Sequence, residues 1–292
     1  MCDFLRHAPV FEQTLAARGR TARTRDSYFY ALQRFDRFVG EVPLDQVTPE
    51  HLVAYQRHLA AQEVSWSTFN INTCALRFFY REHLGHRDWD YRCIPFQKHG
   101  RQLPEVLARE ELPALFEAAP NAKYRAVFMT GYACGLRLSE ILALRPSHID
   151  SKRMVIRVEQ GKGRKDRYVM LPQRLLEELR ACWRAYRPKR FLFEGKLPGE
   201  RLEQSSVQKA FKRARLKAGI PKRVSVKSLR HAFATHMLED GVSILVIKAL
   251  LGHRSLATTQ LYTHLAKTYL NDTKSPLDRI GKESRSPQIP AK

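Results

Sequence analysis

Acids are scarce in this chain. Its 292 residues carry 29 aspartates and glutamates against 51 lysines and arginines, a formal net charge of +22. The acids are not gathered either. Glu110, Glu111, Glu177 and Glu178 read as helix-surface charges, which argues against a nuclease or transposase built on carboxylate-held magnesium. Cysteine is sparse: Cys2, Cys74, Cys93, Cys134 and Cys182 are odd in number and widely spaced, with no C-x-x-C pair. That excludes a disulfide framework and a thiolate zinc site, and the expected state is a reduced thiol in the core, with Cys2 as an exposed terminal thiol. His231 and His236 miss the i, i+4 spacing of a helical zinc pair, and His83 and His86 lack a third ligand. GKGRKD lacks the spacing of an ATP-binding loop. No metal and no cofactor are expected. No run approaches the roughly 20 apolar residues of a membrane span. The opening MCDFLRHAPVFEQTL has no apolar signal core, so the expected location is cytoplasmic and, given the charge, nucleoid-associated. Internal repeats and low-complexity runs are missing as well.

What is present is a globular composition, 43% hydrophobic, with a large cationic excess. Such a chain meets a polyanion, with nucleic acid the first candidate and an anionic membrane surface the second. The length fits one large domain or two moderate ones. Residues 1–90 read as all helix. Tyr28, Leu32, Phe35 and Val39 recur at helical spacing before Gly40 as a stop. Thr48-Pro49 is a helix start, followed by the stripe Leu52, Tyr55 and Leu59. Ser67 is the expected cap of a further helix carrying Leu76 and Tyr80, ended by Gly85. Arg18, Arg20, Arg23, Arg25, Arg34 and Arg37 occupy the other faces. A solvated face is the usual reading of such a run, and the global excess tilts it toward phosphate contacts. Residues 91–102, with Pro95, Gly100 and several cations, read as a basic linker.

From residue 103 the pattern is mixed but mostly helical. Helices are expected at 109–119, 122–134, 138–144, 172–186, 206–218, 228–239, 243–251 and 256–264. Between the third and fourth the period changes to two. Met154, Ile156 and Val158 alternate with polar residues, and 168–171 gives a second strand, so the pair forms a hairpin with GKGRKDR at its tip. The fold class is therefore mainly α with a small β-hairpin, α+β in two domains.

Three segments place polar residues inside apolar helical frames: CGLRLSEILAL at 134–144, SLRHAFATHMLEDG at 228–241 and LLGHRSLATTQLYTHL at 250–265. Singly, each has an ordinary reading: a surface arginine, a helix-capping histidine, a half-buried tyrosine. As an ordered set, GLRLSE, GKGRK, LRHAFATH, LLGH and YTH resemble the tyrosine recombinase (phage integrase) family, in the style of the Xer recombinases. The resemblance covers most of the chain and is dense from Leu103 to Leu265, with the family's nine-residue step from His253 to Tyr262.

The resemblance implies a C-shaped clamp on double-stranded DNA. A core-binding domain spans 1–90, a catalytic domain 103–278, and a disordered tail follows at 279–292. It implies a homotetramer on paired sites, with accessory proteins a possibility, and a role such as integration, excision or movement of a mobile element. The reaction it implies needs neither metal nor ATP. Tyr262 attacks a phosphodiester, forms a 3′-phosphotyrosyl bond and releases a 5′-hydroxyl, and a partner 5′-hydroxyl then reseals the strand. Arg137 and Arg230 match the family's two arginines, whose guanidinium forks suit phosphate oxygens and a crowded transition state. Lys162 matches the hairpin lysine assigned as general acid. Alternatively it only touches phosphate, as its neighbours Arg164, Lys165 and Arg167 are expected to do, or Lys165 replaces it. His253 matches a donor to a non-bridging oxygen. Glu140 matches an acidic position that orients neighbours, or is an ordinary helix glutamate. The departure from the pattern is Lys227, where the family's H-x-x-R has histidine. It serves either as a base, if the arginines depress its pKa, or as a phosphate donor. This departure keeps one alternative open, a non-catalytic DNA-binding protein on the same fold. Topoisomerase-like relaxation through the same tyrosine is a narrower rival.

Overall fold

The computed structural model describes residues 3–98, 104–159 and 166–252. The chain divides into two compact units, Met1–Arg101 and Gln102–Lys292. Among the described residues the first unit is entirely helical, with α1 at Phe4–Ala17, α2 at Ala22–Val39, α3 at Pro49–Ala61 and α4 at Trp66–Phe78. A π-helical turn at Phe79–His83 follows α4 directly. The start and stop signals work as chemistry requires. The Thr21 hydroxyl accepts from the Thr24 N–H at the head of α2, and Gly40 ends that helix at φ 68°. Ser65, not Ser67, caps α4. Ser65 is the residue in extended conformation, so its hydroxyl can reach the Thr68 N–H, while Ser67 already lies inside the first turn.

Leu32, Phe35, Leu52, Tyr55, Leu59, Leu76 and Tyr80 are all buried, in a core further filled by Phe4, Phe11 and Phe79. Each such side chain contributes on the order of 1.5–3 kcal/mol by leaving water. Helices α3 and α4 are also tied by buried polar pairs: Tyr55 Oη donates to Asn72 Oδ1 at 2.9 Å and Gln56 Nε2 to Thr73 Oγ1 at 2.7 Å. The arginine face is partly self-compensated, since Arg18 pairs with Glu82 at 2.8 Å and Arg25 with Glu12 at 3.4 Å. Past the last helical turn, Ile94 is buried in this core and the Gln97 carbonyl accepts from Trp66 Nε1 at 2.7 Å. The segment is therefore pinned to the first unit at least to residue 97.

The second unit contains α5 (Glu111–Glu117), α6 (Ala122–Ala133), α7 (Leu138–Ala143), α8 (Gln173–Tyr186), α9 (Gln204–Lys217), α10 (Val226–Glu239) and α11 (Ile244–Leu251). Helix α5 starts at Glu111 rather than Arg109: residues 109–110 form a turn in which the Glu111 N–H donates to the Ala108 carbonyl at 3.2 Å while Glu111 Oε2 accepts the Ala108 N–H at 2.6 Å, and the Arg109 side chain reaches Asp240 at 2.7 Å and the His236 carbonyl at 3.1 Å. Strands β1 (Ile149–Asp150), β2 (Val155–Val158) and β3 (Arg167–Met170) form an antiparallel sheet in that order, with Ile156 opposite Val169 and Val158 opposite Arg167. The two-residue β1 is too short to show a period. The tip of the β2–β3 hairpin and the expected helix at 256–264 lie outside the described residues. Helix α10 is central, buried from Ser228 to His236, and packs against α6, α9 and α11. Helix α9 turns Val207, Ala210, Phe211 and Ala214 inward and leaves Lys209, Lys212, Arg213 and Lys217 exposed. Of the cysteines, Cys134 and Cys182 are buried as expected. Cys74 is half-buried, and Cys93, on a short 3-10 turn, is exposed instead.

Candidate active site

Glu140 is the hub. It sits one turn into α7, where its Oε2 accepts the Arg137 N–H at 2.9 Å, the returning half of a capping box. The same carboxylate takes the Arg137 side chain (Nη1 to Oε1, 2.8 Å) and both ends of the Arg167 fork (Nη1 to Oε1, 3.1 Å; Nη2 to Oε2, 2.9 Å). Arg230 Nη1 lies 3.9 Å from Oε2. Three guanidiniums from α7, β3 and α10 thus converge on one carboxylate. Burial alone pushes the Glu140 carboxyl pKa up, but the Arg167 hydrogen bonds and charge, with the Arg137 N–H and charge, outweigh it. The result lies below the usual carboxylate value. One anion among three cations leaves the cluster positive, which suits it to an anionic ligand. The Glu140, Arg230 and Arg167 side chains are 7%, 8% and 13% exposed, and Arg137 is the most open at 29%.

The arginines are held by backbone as well. Arg230 donates from Nη1 to the Gly135 carbonyl at 2.6 Å and from Nη2 to the Leu251 carbonyl at 2.7 Å, so it links the turn before α7 to the end of α11. Gly135 is required there: φ is +60°, and a Cβ would stand 2.4 Å from Phe233 Cδ1 and 2.8 Å from Leu251 Cδ2. Arg167 Nε donates to the Leu250 carbonyl at 2.9 Å. Gly252, left-handed at φ +64°, lets the Arg167 guanidinium pass, since a Cβ would meet it at 3.3 Å.

Arg167 is the residue that sequence reasoning misjudged. It was expected as a phosphate contact and is instead an internal tie between the hairpin base, Glu140 and the end of α11. The signal was available: in a period-two strand Arg167 shares its face with Val169, which is buried, while Tyr168 between them is 58% exposed. Glu140 takes the orienting reading, not that of an ordinary surface glutamate. Lys227 is exposed on the first turn of α10, one turn before Arg230. His231 beside it is buried, and burial, reinforced by the charges of Lys227 and Arg230, pulls its pKa down to about 4. Lys162, His253 and Tyr262 lie outside the described residues, His253 immediately after the Gly252 cap. Among the described residues no trio of histidine, cysteine or carboxylate converges as a metal ligand set, and no helix is long and apolar enough to cross a membrane.

Arg137, at the N-cap of α7, and Arg230, on α10, thus meet at one buried carboxylate on a mostly helical fold with a small sheet, a cationic site of the class that binds anions. Residues 105–268 match the phage integrase family, and residues 10–90 match the phage integrase N-terminal SAM-like domain. A Sinorhizobium fredii protein with the provisional name integrase/recombinase y4qK is 40% identical over 282 residues, 96% of this chain and 91% of its own. The tyrosine recombinase XerA of Thermococcus kodakarensis is 33% identical, over 93% of this chain and 95% of that protein. In structure, a lambda integrase tetramer bound to a Holliday junction superposes with a TM-score of 0.71 at 19% identity, covering 87% of this chain and 75% of that one. The chain belongs to the phage integrase family, the tyrosine recombinases. It is a Xer-like site-specific DNA recombinase.

Proposed function

We propose that this recombinase works through Tyr262, Arg137, Arg230, Lys162, His253 and Lys227 on double-stranded DNA. The observation that carries the reading is the Glu140 cluster, which brings Arg137 and Arg230 from separate helices onto one carboxylate. Arg137 and Arg230 hold the scissile phosphate and stabilise the charge that builds on its oxygens. Preorganised donors of this kind are worth about 10²–10³ in rate each. Tyr262 Oη gives up its proton to bulk water and attacks phosphorus, the P–O5′ bond breaks, and Lys162 supplies the proton that the leaving 5′-oxygen takes up and is reprotonated from water. That proton is worth roughly 10²–10⁴. His253 donates to a non-bridging oxygen. Lys227, exposed to solvent on α10, acts as a phosphate donor rather than as the base. The first unit and the second unit both bind DNA. Residues 1–90 serve as the core-binding domain and 103–278 as the catalytic domain. Four copies act on two paired sites in the cytoplasm, at the nucleoid, with accessory proteins where the site demands them.

The test is covalent trapping. Nicked suicide duplexes selected from a library with a randomised core are incubated in EDTA with the parent and with Tyr262→Phe. A denaturation-resistant adduct with the parent alone is the expected outcome. An adduct that survives Tyr262→Phe, or that the parent forms only with added metal, would overturn the assignment.

A further inference from the structure

The second unit carries a second arginine cluster, apart from the one on Glu140. Arg145, Arg190 and Arg201 place their guanidinium carbons 5.9, 5.1 and 4.8 Å from the centroid of a single ring, Phe191. The ring is buried beneath them at 4% exposure, while all three arginines are exposed. Six other arginines, Arg18, Arg25, Arg109, Arg125, Arg157 and Arg167, have carboxylate partners. Among the described residues no carboxylate stands within 4.0 Å of any of these three. Glu194, the nearest acid in sequence to Arg190, spends its Oε1 on the backbone N–H groups of Lys189, Arg190 and Phe191.

Three like charges gathered around one aromatic ring repel one another. The ring's quadrupole offsets part of this, but an anion placed among them would remove it. A guanidinium carries several N–H donors in a planar fork, which suits the oxygens of a phosphate. The cluster is not isolated from the chemistry. A cleft of about 290 Å³ is lined by Ser139, Glu140, His148, Arg145, Phe191 and Arg201, so two of the three arginines share it with the carboxylate that fixes Arg137. His148 and Glu159 in the same cleft face each other at 3.5 Å, and Glu159 is held by Arg157 at 2.6 Å, so neither neutralises the arginines. From Arg137 to Arg145 the chain runs along α7 and its exit, on the order of 10 Å at 1.5 Å per helical residue.

We propose that Arg145, Arg190 and Arg201, seated on Phe191, form a second phosphate-binding subsite. It takes a backbone phosphate of the bound DNA a few nucleotides from the one being cleaved. This rests on the DNA-recombining reading above. The subsite fixes the strand's register relative to Arg137 without reading its sequence.

The experiment uses the full chain and a fluorescein-labelled duplex of random sequence, about 30 base pairs long, with anisotropy read between about 50 and 200 mM salt. The triple variant Arg145→Gln, Arg190→Gln, Arg201→Gln is compared with the parent and with Arg174→Gln, Arg180→Gln, Arg184→Gln, which removes the same charge from the exposed face of α8. Single variants Arg190→Gln and Arg201→Gln run alongside, and thermal melting checks folding. One phosphate lost should lower the slope of log K against log salt by about 0.9 for the triple variant, with a fraction of that for the singles. The α8 variant should keep the parent slope. An unchanged slope in the triple and single variants overturns the subsite, as does an equal fall in the α8 variant, which would mean only net charge matters. A parent that fails to bind any duplex would overturn the DNA reading itself, a result distinct from either.

Discussion

Replacing Glu140 with glutamine tests the hub on which the site depends. The change is isosteric and keeps one acceptor oxygen, but it removes the negative charge that Arg137, Arg167 and Arg230 share. It also sets an amide NH₂ against a guanidinium that had an acceptor. Breaking one partner of a buried ion pair costs about 3–5 kcal/mol. The lower end applies here, about 3 kcal/mol, because Arg137 is 29% exposed and water can replace part of what it loses. Urea unfolding at pH 7 measures this. A cycle with Arg167→Met should return a coupling of about 1–3 kcal/mol, since the two share a bidentate contact. The pH dependence gives a further check. The Glu140 carboxyl is held below its usual value in the fold, so its contribution is complete above the unfolded-chain pKa of about 4.3 and disappears as pH falls through the lower folded value. The gap between parent and Glu140→Gln should therefore be constant near neutrality and close in acid. Single-turnover cleavage of a trapped substrate should slow by about tenfold or more, as Arg137 loses its fixed direction. A variant within about 0.5 kcal/mol of the parent at pH 7, cleaving at the parent rate, would refute the hub.

Gly135→Ala should cost about 2–4 kcal/mol, combining a left-handed backbone with a Cβ 2.4 Å from Phe233, whereas Gly252→Ala, whose Cβ meets Arg167 at 3.3 Å, should cost less; thermal melts of the two give the order. His231 is depressed to about 4 from an unfolded value near 6.5, so the unfolded chain binds a proton that the fold refuses. Stability should then fall by up to about 1.4 kcal/mol per pH unit between roughly 6.5 and 4, and His231→Gln should flatten that stretch of the unfolding-against-pH curve. Arg167→Lys keeps the charge but loses the fork, so it should slow cleavage while leaving the salt slope of DNA binding unchanged. A lowered slope would return Arg167 to the phosphate-contact role. Tyr55→Phe strands the Asn72 side-chain oxygen and should cost about 1 kcal/mol in urea unfolding with no loss of cleavage by the folded fraction.

Much of this protein was legible in the chain itself. The helices of the first unit follow from local rules, apolar stripes such as Leu52, Tyr55 and Leu59 and stops such as Gly40, and these act within one or two turns wherever the segment sits. The same holds for α9, with its buried Val207, Ala210, Phe211 and Ala214, and for the β2–β3 pair. The ordered motifs GLRLSE, GKGRK, LRHAFATH, LLGH and YTH carried the family, because residue types at fixed offsets are written directly in the sequence. Small errors were local competitions, such as Ser65 taking the cap expected of Ser67.

What the sequence could not decide was which charge meets which. Glu140 had two readings and Arg167 the wrong one until β3, α7, α10 and α11 were brought together, since ion pairs join residues far apart in the chain. Nothing in the local sequence marks Gly135 and Gly252 as positions that demand glycine. Their need comes from Phe233, Leu251 and Arg167 crossing above them, contacts that exist only in the folded packing. The cluster on Phe191 was invisible for the same reason. Arg145 follows α7, while Arg190 and Arg201 lie between α8 and α9, and only the tertiary structure brings all three around one ring. Local pattern determined the elements and the chemistry they carry, and long-range packing determined how each charge is held.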